Sequence, residues 1–295
     1  MAALEPLVRK CRHTLRSVGA PVCFALLFGI APAAAQSLPA STLSLPQVSS
    51  SKSFDWGASV GFDYVTGNYG AKCALKSVSL TCTSTGTTVV SIPATAMLQI
   101  QRLRVELTVP YVDIEGPGKF AGIFGIPVVV APANNEIKHR SGLGDATVGA
   151  AWIILRENTL MPRIELASVI KLPTAGTGLG TGRTDYGAQV NLYRTLVPGI
   201  MTFGSLGYQW VGDLNTIKLH SGARATAGVD FKFLGLGTGA MLDYRQSAWQ
   251  GAPLYFTLNP YVTWRFLGGL GVSLYATVGL TRSSPSQGAG LRFTL

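Results

Sequence analysis

Apolar and polar residues alternate with a period of two from Phe54 to the end of the chain. Between positions 270 and 280 the even positions carry Leu, Val, Leu, Ala, Val and Leu, with Gly, Ser, Tyr and Thr between them. Between 222 and 233, Ala, Val and Phe alternate with Arg, Thr, Asp and Lys. Because alternate residues of a strand face opposite sides, each such segment predicts a β-strand with one apolar and one polar face.

The alternation predicts twelve strands. They lie at about 54–66, 88–100, 103–115, 143–155, 160–172, 184–196, 200–212, 221–233, 237–249, 254–266, 270–282 and 287–295. Most are long enough for a tilted crossing of a bilayer, which takes roughly 9–11 residues. Connections at one end are short, whereas those at 67–87, 116–142 and 173–183 are long, as in outer-membrane barrels. We predict an all-β, transmembrane, antiparallel up-and-down β-barrel of about twelve strands.

Aromatic residues mark the two ends of these strands. Trp56, Trp152 and Phe233 fall near one rim, and Tyr208 and Trp210 fall near the other. Two such belts are expected where a barrel meets the membrane interfaces. A soluble β-sandwich shows the same alternation, but the strand lengths, loop asymmetry and aromatic positions favour the barrel. The sequence contains no run of 18 apolar residues, which is the length that would indicate a transmembrane helix.

The first 35 residues have the composition of a secretory signal. Basic residues precede an apolar run at Val22–Ile30, and Ala33–Ala35 provide a small-residue cleavage site. Residues 36–52 are rich in Ser and Pro and show no periodicity. We therefore predict a signal peptide at 1–35, an N-terminal strap at 36–52 and an outer-membrane β-barrel at 53–295, in the outer membrane of a Gram-negative cell.

Composition and cysteine content narrow the chemistry. Of the 295 residues, 47% are hydrophobic and 13% are charged, which excludes a disordered chain and a coiled coil. The net charge of +10 is scattered rather than clustered, so we expect no nucleic-acid partner. Cys73 and Cys82 remain after signal removal, and an oxidising compartment favours a disulfide between them. The two remaining histidines lie far away, so we expect no metal and no cofactor.

The polar face of the predicted barrel carries balanced charge. Its lumen-lining candidates are Arg104, Glu106, Arg163, Glu165, Lys171, Asp185, Arg224, Asp230, Lys232, Asp243, Arg245 and Arg265, and Asp55, Asp63, Asp145 and Arg292 share that face. Eight acids and eight bases indicate no strong charge selectivity. Two interpretations stay open: the charges pair across strands and hold the wall together, or some form a polar path for a solute. Twelve strands enclose a narrow interior.

Three other segments suggest additional chemistry. The apolar connection 116–142 either folds inward as a constriction or contacts lipopolysaccharide. The glycine-rich segment Gly176–Gly182 resembles a phosphate-binding loop but lacks the following Lys-Ser/Thr and the strand-to-helix context, which favours a simple external turn. His139, Ser141 and Asp145 could belong to a hydrolase only if the three side chains converge, so we expect no enzyme activity.

An ordered set of motifs carries a family resemblance. The motifs are Ser141-Gly-Leu-Gly-Asp145, Lys171-Leu-Pro-Thr174, Gly178-Leu-Gly-Thr-Gly182, Asp185-Tyr186, Gly204-Ser-Leu-Gly-Tyr208, Asp243-Tyr-Arg-Gln246 and Ser284-Pro-Ser-Gln-Gly-Ala-Gly290. Together they resemble the outer-membrane transporter-like family of the meta-pathway of phenol degradation. The resemblance implies a β-barrel that takes up aromatic or other apolar small molecules.

Two functions follow as expectations. The first is a channel or transporter for passive uptake of a small solute, aromatic or apolar in character. The alternative is a structural or adhesive surface barrel with a closed lumen, and an outer-membrane hydrolase ranks below both. The expected partners are outer-membrane lipid, lipopolysaccharide and the solute.

Overall fold

The computed structural model describes residues 54–67, 73–76, 79–82, 86–117, 119–123, 126–130, 137–176, 178–212, 220–246, 254–266 and 269–295. At 73–82 and from 117 to 138 it describes only the backbone. The predicted signal peptide at 1–35 and strap at 36–52 lie outside the described residues.

Strands make up the regular structure of the described residues. In chain order they are β1 (Phe54–Gly67), β2 (Cys73–Lys76), β3 (Ser79–Cys82), β4 (Thr87–Ile100), β5 (Leu103–Pro117), β6 (Lys119–Ile123), β7 (Ile126–Val130), β8 (Ile137–Leu143), β9 (Thr147–Leu155), β10 (Arg163–Lys171), β11 (Asp185–Val197), β12 (Ile200–Trp210), β13 (Gly222–Phe233), β14 (Leu236–Arg245), β15 (Tyr255–Arg265), β16 (Gly271–Gly279) and β17 (Gln287–Thr294). Across the described ranges, no helix is long and apolar enough to span a membrane.

The main sheet closes on itself. β1 pairs with β4 on one side and with β17 on the other, and every pairing from β9 to β17 joins consecutive antiparallel strands. β5 pairs with β8 through residues 111–117 and with β9 through residues 103–108, so β8 and β9 act as two parts of one wall strand. The ring therefore has twelve strands, which confirms the predicted all-β barrel.

The observed strands differ from the predicted ones mainly at one place. The wall strand predicted at 143–155 begins already at Ile137, and the predicted connection 116–142 contains the β6–β7 hairpin. β8 reads IKHRSGL, with polar residues on both faces. This part of the strand lies at the end with the long connections, beyond the apolar belt, so neither face has to be apolar. The period-two signal is therefore missing there.

Side-chain exposure alternates along the wall as the pattern predicts. Along β10 buried and exposed positions alternate strictly from Glu165 to Lys171. The exposed positions form an apolar outer surface, for example Leu166, Leu206 and Leu242. Trp56, Trp152 and Phe233 are exposed at the end with the short turns, and Tyr186 and Trp210 at the other end. A closed barrel with an apolar exterior between aromatic rims is a membrane barrel, and this one belongs in the outer membrane.

A break in the wall positions one lumen residue. Pro93 of β4 lies opposite Pro110 of β5, and neither ring nitrogen can donate to the ladder. The backbone N–H of Gly144 donates to the carbonyl oxygen of Pro110 at 2.8 Å, and there the chain leaves β8 before it enters β9. Asp145 follows in this break, where its side chain is almost fully buried. We call the end of the barrel at this break, where the long connections lie, the outer end, because outer-membrane barrels carry their longer loops outside.

Candidate functional site: the barrel lumen

Most of the charged side chains predicted to line the lumen are buried inside the barrel. The buried ones are Arg104, Glu106, Glu165, Lys171, Asp185, Arg224, Asp230, Asp243 and Arg245. Arg163 is also mostly covered, with 13% of its side chain exposed. These groups are too polar to be stable in lipid, and the alternation directs them inward. The inner face of the wall therefore carries charged side chains that are largely covered from water.

Two predicted lining residues are instead exposed. The Lys232 side chain is 42% exposed, although its Nζ lies 3.4 Å from Asp230 Oδ2, and Arg265 is exposed as the last residue of β15. The alternation places both residues on the inward face of the wall, but they lie at the end of their strands where the short turns are. A long side chain there extends past the barrel rim into water rather than into the lumen.

An ion-pair cluster occupies the inner end of the lumen. Arg104 Nε donates to Glu106 at 2.9 Å, and its Nη2 donates to Glu165 at 3.3 Å. Arg163 also binds Glu165, whose second oxygen accepts from the hydroxyl of Tyr193 at 3.4 Å. Arg104 reaches Glu165 across β9 because Ala151, its neighbour in the ladder, has a short side chain. This cluster connects β5, β10 and β11 and narrows the inner lumen.

A second cluster lies at the outer end, around Lys171. Its Nζ lies 2.6 Å from Asp145 Oδ2 and 3.0 Å from Asp185 Oδ2. It also donates to the hydroxyl of Thr181 at 2.6 Å and to the carbonyl oxygen of Arg183 at 3.1 Å. The three charged side chains are nearly fully buried. A buried lysine between two carboxylates is well satisfied, so the cluster fixes the adjoining connection 172–184 against the wall.

Tyrosines complete two further lumen clusters that the charge pattern did not reveal. The hydroxyl of Tyr275 donates to Asp63, and Arg292 stacks over the Tyr275 ring at 5.9 Å. The hydroxyl of Tyr261 donates to Asp230 at 3.1 Å. In the sequence, both tyrosines occupy inward-facing positions of the alternation. That position could have predicted these contacts, because a buried phenol needs a hydrogen-bond partner. Between these clusters the wall carries neutral polar groups, such as Asn259, which bonds to the hydroxyls of Thr257 and Thr277.

The connection 172–184 lies at the outer end of the barrel and folds into its mouth. We call it the inner loop because it turns toward the barrel interior. Leu179 is buried against Val65 of β1, Val89 of β4 and Ile114 of β5, with Val112 and Ala175 beside them. We call this set the apolar cluster. Sequence analysis missed Leu179 because a connection carries no periodicity that would show which side chain turns inward. Its burial places an apolar contact inside the outer mouth of the barrel.

The glycines of the inner loop permit this fold. Gly178 has a φ of +83°, which an L side chain rarely adopts. A Cβ at Gly180 would lie 2.6 Å from Asp145 Oδ2 and 2.7 Å from the Cβ of Ala175. The Gly-x-Gly-x-Gly spacing therefore serves close packing against the wall. The segment turns inward, where the sequence favoured a simple external turn.

The sequence of the chain matches a described protein family. The family model described as "Putative MetA-pathway of phenol degradation" matches residues 77–295. The chain belongs to this family. No curated protein matches it in sequence.

The fold of this phenol-degradation family member occurs among solved structures. An outer membrane channel from Pseudomonas putida F1 is similar, with a TM-score of 0.62 and 14% identity over 85% of this chain and 98% of that one. The toluene transporter TodX of P. putida gives a TM-score of 0.43 and 10% identity, covering 88% of this chain and 92% of that one. The first similarity shows that the family member shares the fold of an outer-membrane channel.

The three residues considered for a hydrolase site do not converge in this family member. They are His139, Ser141 and Asp145. Nε2 of His139 lies 2.7 Å from Asp113 Oδ1 in a pair that is exposed on the outside of the barrel. Ser141 is exposed on the same strand, two residues on. Asp145 instead points inward and binds Lys171. A Ser-His-Asp relay needs the three groups in hydrogen-bond contact, and this arrangement does not provide it.

The two cysteines of the family member lie opposite each other in a hairpin. Cys73 of β2 and Cys82 of β3 are Cα partners in the antiparallel pairing. Their side chains lie outside the described part of the structure. Direct partners in an antiparallel pair have Cβ atoms about 4.5–5.5 Å apart, so the backbone register is compatible with the predicted disulfide after modest adjustment.

Proposed function

We propose that this barrel is an outer-membrane channel for passive uptake of a small solute with an apolar part. Membership of the phenol-degradation family supports an aromatic solute, and the fold shared with an outer-membrane channel supports a path through the barrel. The observation that carries the proposal is the burial of Leu179 in the outer mouth. The side chain that packs into the mouth there comes from a connection rather than from the wall itself.

A connection is the part of a barrel that can move without breaking the wall ladder. When the inner loop withdraws Leu179, Val65, Val89 and Ile114 are left as an apolar surface inside the mouth. An apolar solute can replace the Leu179 contact on that surface, because burial of either restores the same apolar area. Polar solutes gain nothing from this exchange. The proposed channel therefore favours solutes with an apolar group.

The alternative of a structural barrel with a closed lumen rests on a different observation. The inner cluster around Glu165 and the outer cluster around Lys171 bury several charges in mutual contact. Such networks hold strands together and need no solute to explain them. They narrow the path at both ends, and single-channel recording distinguishes a narrow path from a closed one.

The test is single-channel recording of the purified chain in planar bilayers, with Leu179→Ala as the variant. Truncating a buried leucine removes about 2 kcal/mol or more of packing, which shifts the ratio of open to closed time roughly 30-fold. The matched control is Leu160→Ala, since Leu160 is 87% exposed in the turn before β10. We expect brief openings in the wild type, much longer openings in Leu179→Ala and wild-type behaviour in Leu160→Ala.

Two outcomes would contradict the proposal. Folded protein that shows no openings, either as wild type or as Leu179→Ala, supports the closed structural barrel. Equal conductance in Leu179→Ala, Leu160→Ala and the wild type shows that Leu179 does not close the path. Folding is checked first by the heat-dependent shift of the barrel in electrophoresis.

A further inference from the structure

Two arginines face each other inside the outer half of the lumen. Arg224 of β13 and Arg245 of β14 are direct Cα partners in the antiparallel ladder. Both are on the inward face and are 2% and 1% exposed. Like charges directly opposite each other on one face of a sheet repel. Their juxtaposition in a buried place calls for a negative group between or beside them.

The wall supplies only part of that negative charge. Arg245 Nε donates to Asp243 Oδ2 at 3.1 Å. Nε and Nη2 of Arg224, and Nη1 of Arg245, have no hydrogen-bond acceptor within the described part of the chain. Among the described residues, two guanidinium groups stand against the single carboxylate of Asp243, whose Oδ1 also lacks a hydrogen-bond partner there, which leaves one positive charge uncompensated. Buried donors of a charged group are costly to leave unpaired, so the arrangement favours a bound monoanion.

The geometry of the free donors selects the kind of anion. A guanidinium presents its N–H groups in a planar fork that matches the two oxygens of a carboxylate. Nε and Nη2 of Arg224 form one such edge of the fork, and both are free of acceptors among the described residues. The ring of Tyr255 lies 5.5 Å from the guanidinium carbon of Arg245, covering one face and leaving its edge available. These edges lack a partner among the described residues, and because both side chains are almost fully buried, a carboxylate reaches them when the neighbouring side chains move aside.

The opposite wall of the same mouth is apolar. In the ring of twelve strands, β13 lies directly across the barrel from β4, which contributes Val89 to the apolar cluster. Arg224 lies near the outer end of its strand, and so do Val65 and Val89. The outer mouth therefore has a basic side and an apolar side. A molecule with a carboxylate at one end and an apolar body at the other would contact both.

We propose that Arg224 and Arg245 form a binding site for the carboxylate of an aryl carboxylate whose apolar body rests against the apolar cluster. This inference rests on the proposed channel function and names its solute class. The single uncompensated positive charge matches one carboxylate. The apolar cluster disfavours small hydrophilic anions, because it offers them nothing in return for desolvation. Binding precedes passage, and Leu179 withdraws as the apolar body takes its place against Val65, Val89 and Ile114.

The experiment measures binding of benzoate to the full chain in detergent micelles by isothermal titration calorimetry. Benzamide, a neutral molecule of the same shape, and acetate, a carboxylate without a ring, are the comparison ligands. We expect saturable benzoate binding, with both comparison ligands about tenfold weaker, since each lacks one of the two contacts. Arg224→Gln and Arg245→Gln should each weaken benzoate binding about tenfold.

Matched variants separate binding from folding. Arg156→Gln makes the same change at an exposed arginine after β9 and should leave benzoate binding unaltered. Arg224→Lys keeps the charge and loses the fork, so its affinity should lie between those of the wild type and Arg224→Gln. If a Gln variant fails to fold, the Lys variant carries the test. Equal affinity for benzoate, benzamide and acetate would overturn the inference, as would unchanged benzoate affinity in both Gln variants.

Single-channel recording of the same preparations distinguishes the two proposals. A chain that conducts but does not bind benzoate contradicts the carboxylate site and leaves the channel function standing. A chain that binds benzoate through Arg224 and Arg245 but never conducts contradicts the channel function and leaves the site standing.

Discussion

Lys171 Nζ lies 2.6 Å from Oδ2 of Asp145, although the two residues are 26 positions apart. Asp145 sits in the break between β8 and β9, and its other oxygen accepts from the backbone N–H of Ala175 in the inner loop at 3.0 Å. One carboxylate thus connects the wall to the segment that carries Leu179. Because Leu179 is buried in the outer mouth, we expect this contact to help hold the mouth closed.

Neutralising Asp145 should therefore weaken both the barrel and its closure. In Asp145→Asn, Lys171 loses one of its two buried carboxylates, and removing one partner of a buried ion pair costs about 3 kcal/mol. The measurement is urea unfolding of the refolded barrel in micelles, followed by tryptophan fluorescence. Asp113→Asn is the control, because its exposed pair with His139 should contribute less than about 1 kcal/mol. If the two variants lose the same free energy of unfolding, the buried Asp145 contact stabilises the barrel no more than the exposed Asp113 pair does.

Adding one methyl group to the inner loop should displace it. In Gly180→Ala the new Cβ would meet Asp145 Oδ2 at 2.6 Å, so the loop or the carboxylate has to shift, at a cost of about 1–3 kcal/mol. We expect longer channel openings in planar bilayers. Gly86→Ala is the control, since no atom lies within 4 Å of its Cβ position. If Gly180→Ala opens no more than Gly86→Ala, the inner loop does not gate the mouth.

The lipid-facing surface can be tested with two leucines that are both exposed in the isolated barrel. Leu206 is 68% exposed near the middle of β12, and Leu160 is 87% exposed in a turn. Leu206→Arg should destabilise the barrel in liposomes by about 2–4 kcal/mol, because the charge enters the hydrocarbon region. Leu160→Arg should change the stability little, since its side chain stays in water. A similar stability of both variants would place the wall outside a bilayer.

The opposed cysteines predict a disulfide in the β2–β3 hairpin. Protein purified without reductant should not react with a thiol reagent, and reduction should expose two reactive thiols at Cys73 and Cys82. Mass spectrometry of the labelled peptides gives the measurement, with Cys73→Ser as the control that leaves Cys82 free to label. Labelling of the unreduced wild type would contradict the bond.

How far the candidate site was predictable depends on the kind of element that carries each residue. Glu165 and Arg224 were assigned to the lumen from alternation alone. In a wall between lipid and water one face of each strand is apolar and the other polar, so the sequence shows which face a residue occupies. The contact between Arg104 and Glu165 was not predictable, because it crosses an intervening strand and depends on the register of three strands. Leu179 was not predictable because the conformation of a connection depends on what it packs against.

The sequence by itself predicted the twelve-stranded barrel and the inward side for most of the charged residues that are buried there. These features follow from a local rule, because neighbouring residues of a membrane strand must satisfy opposite solvents. Only the tertiary structure decided that Lys171 meets Asp145, that Arg224 faces Arg245 and that Leu179 packs into the outer mouth. These contacts join residues that are distant along the chain, and strand register and loop packing bring them together.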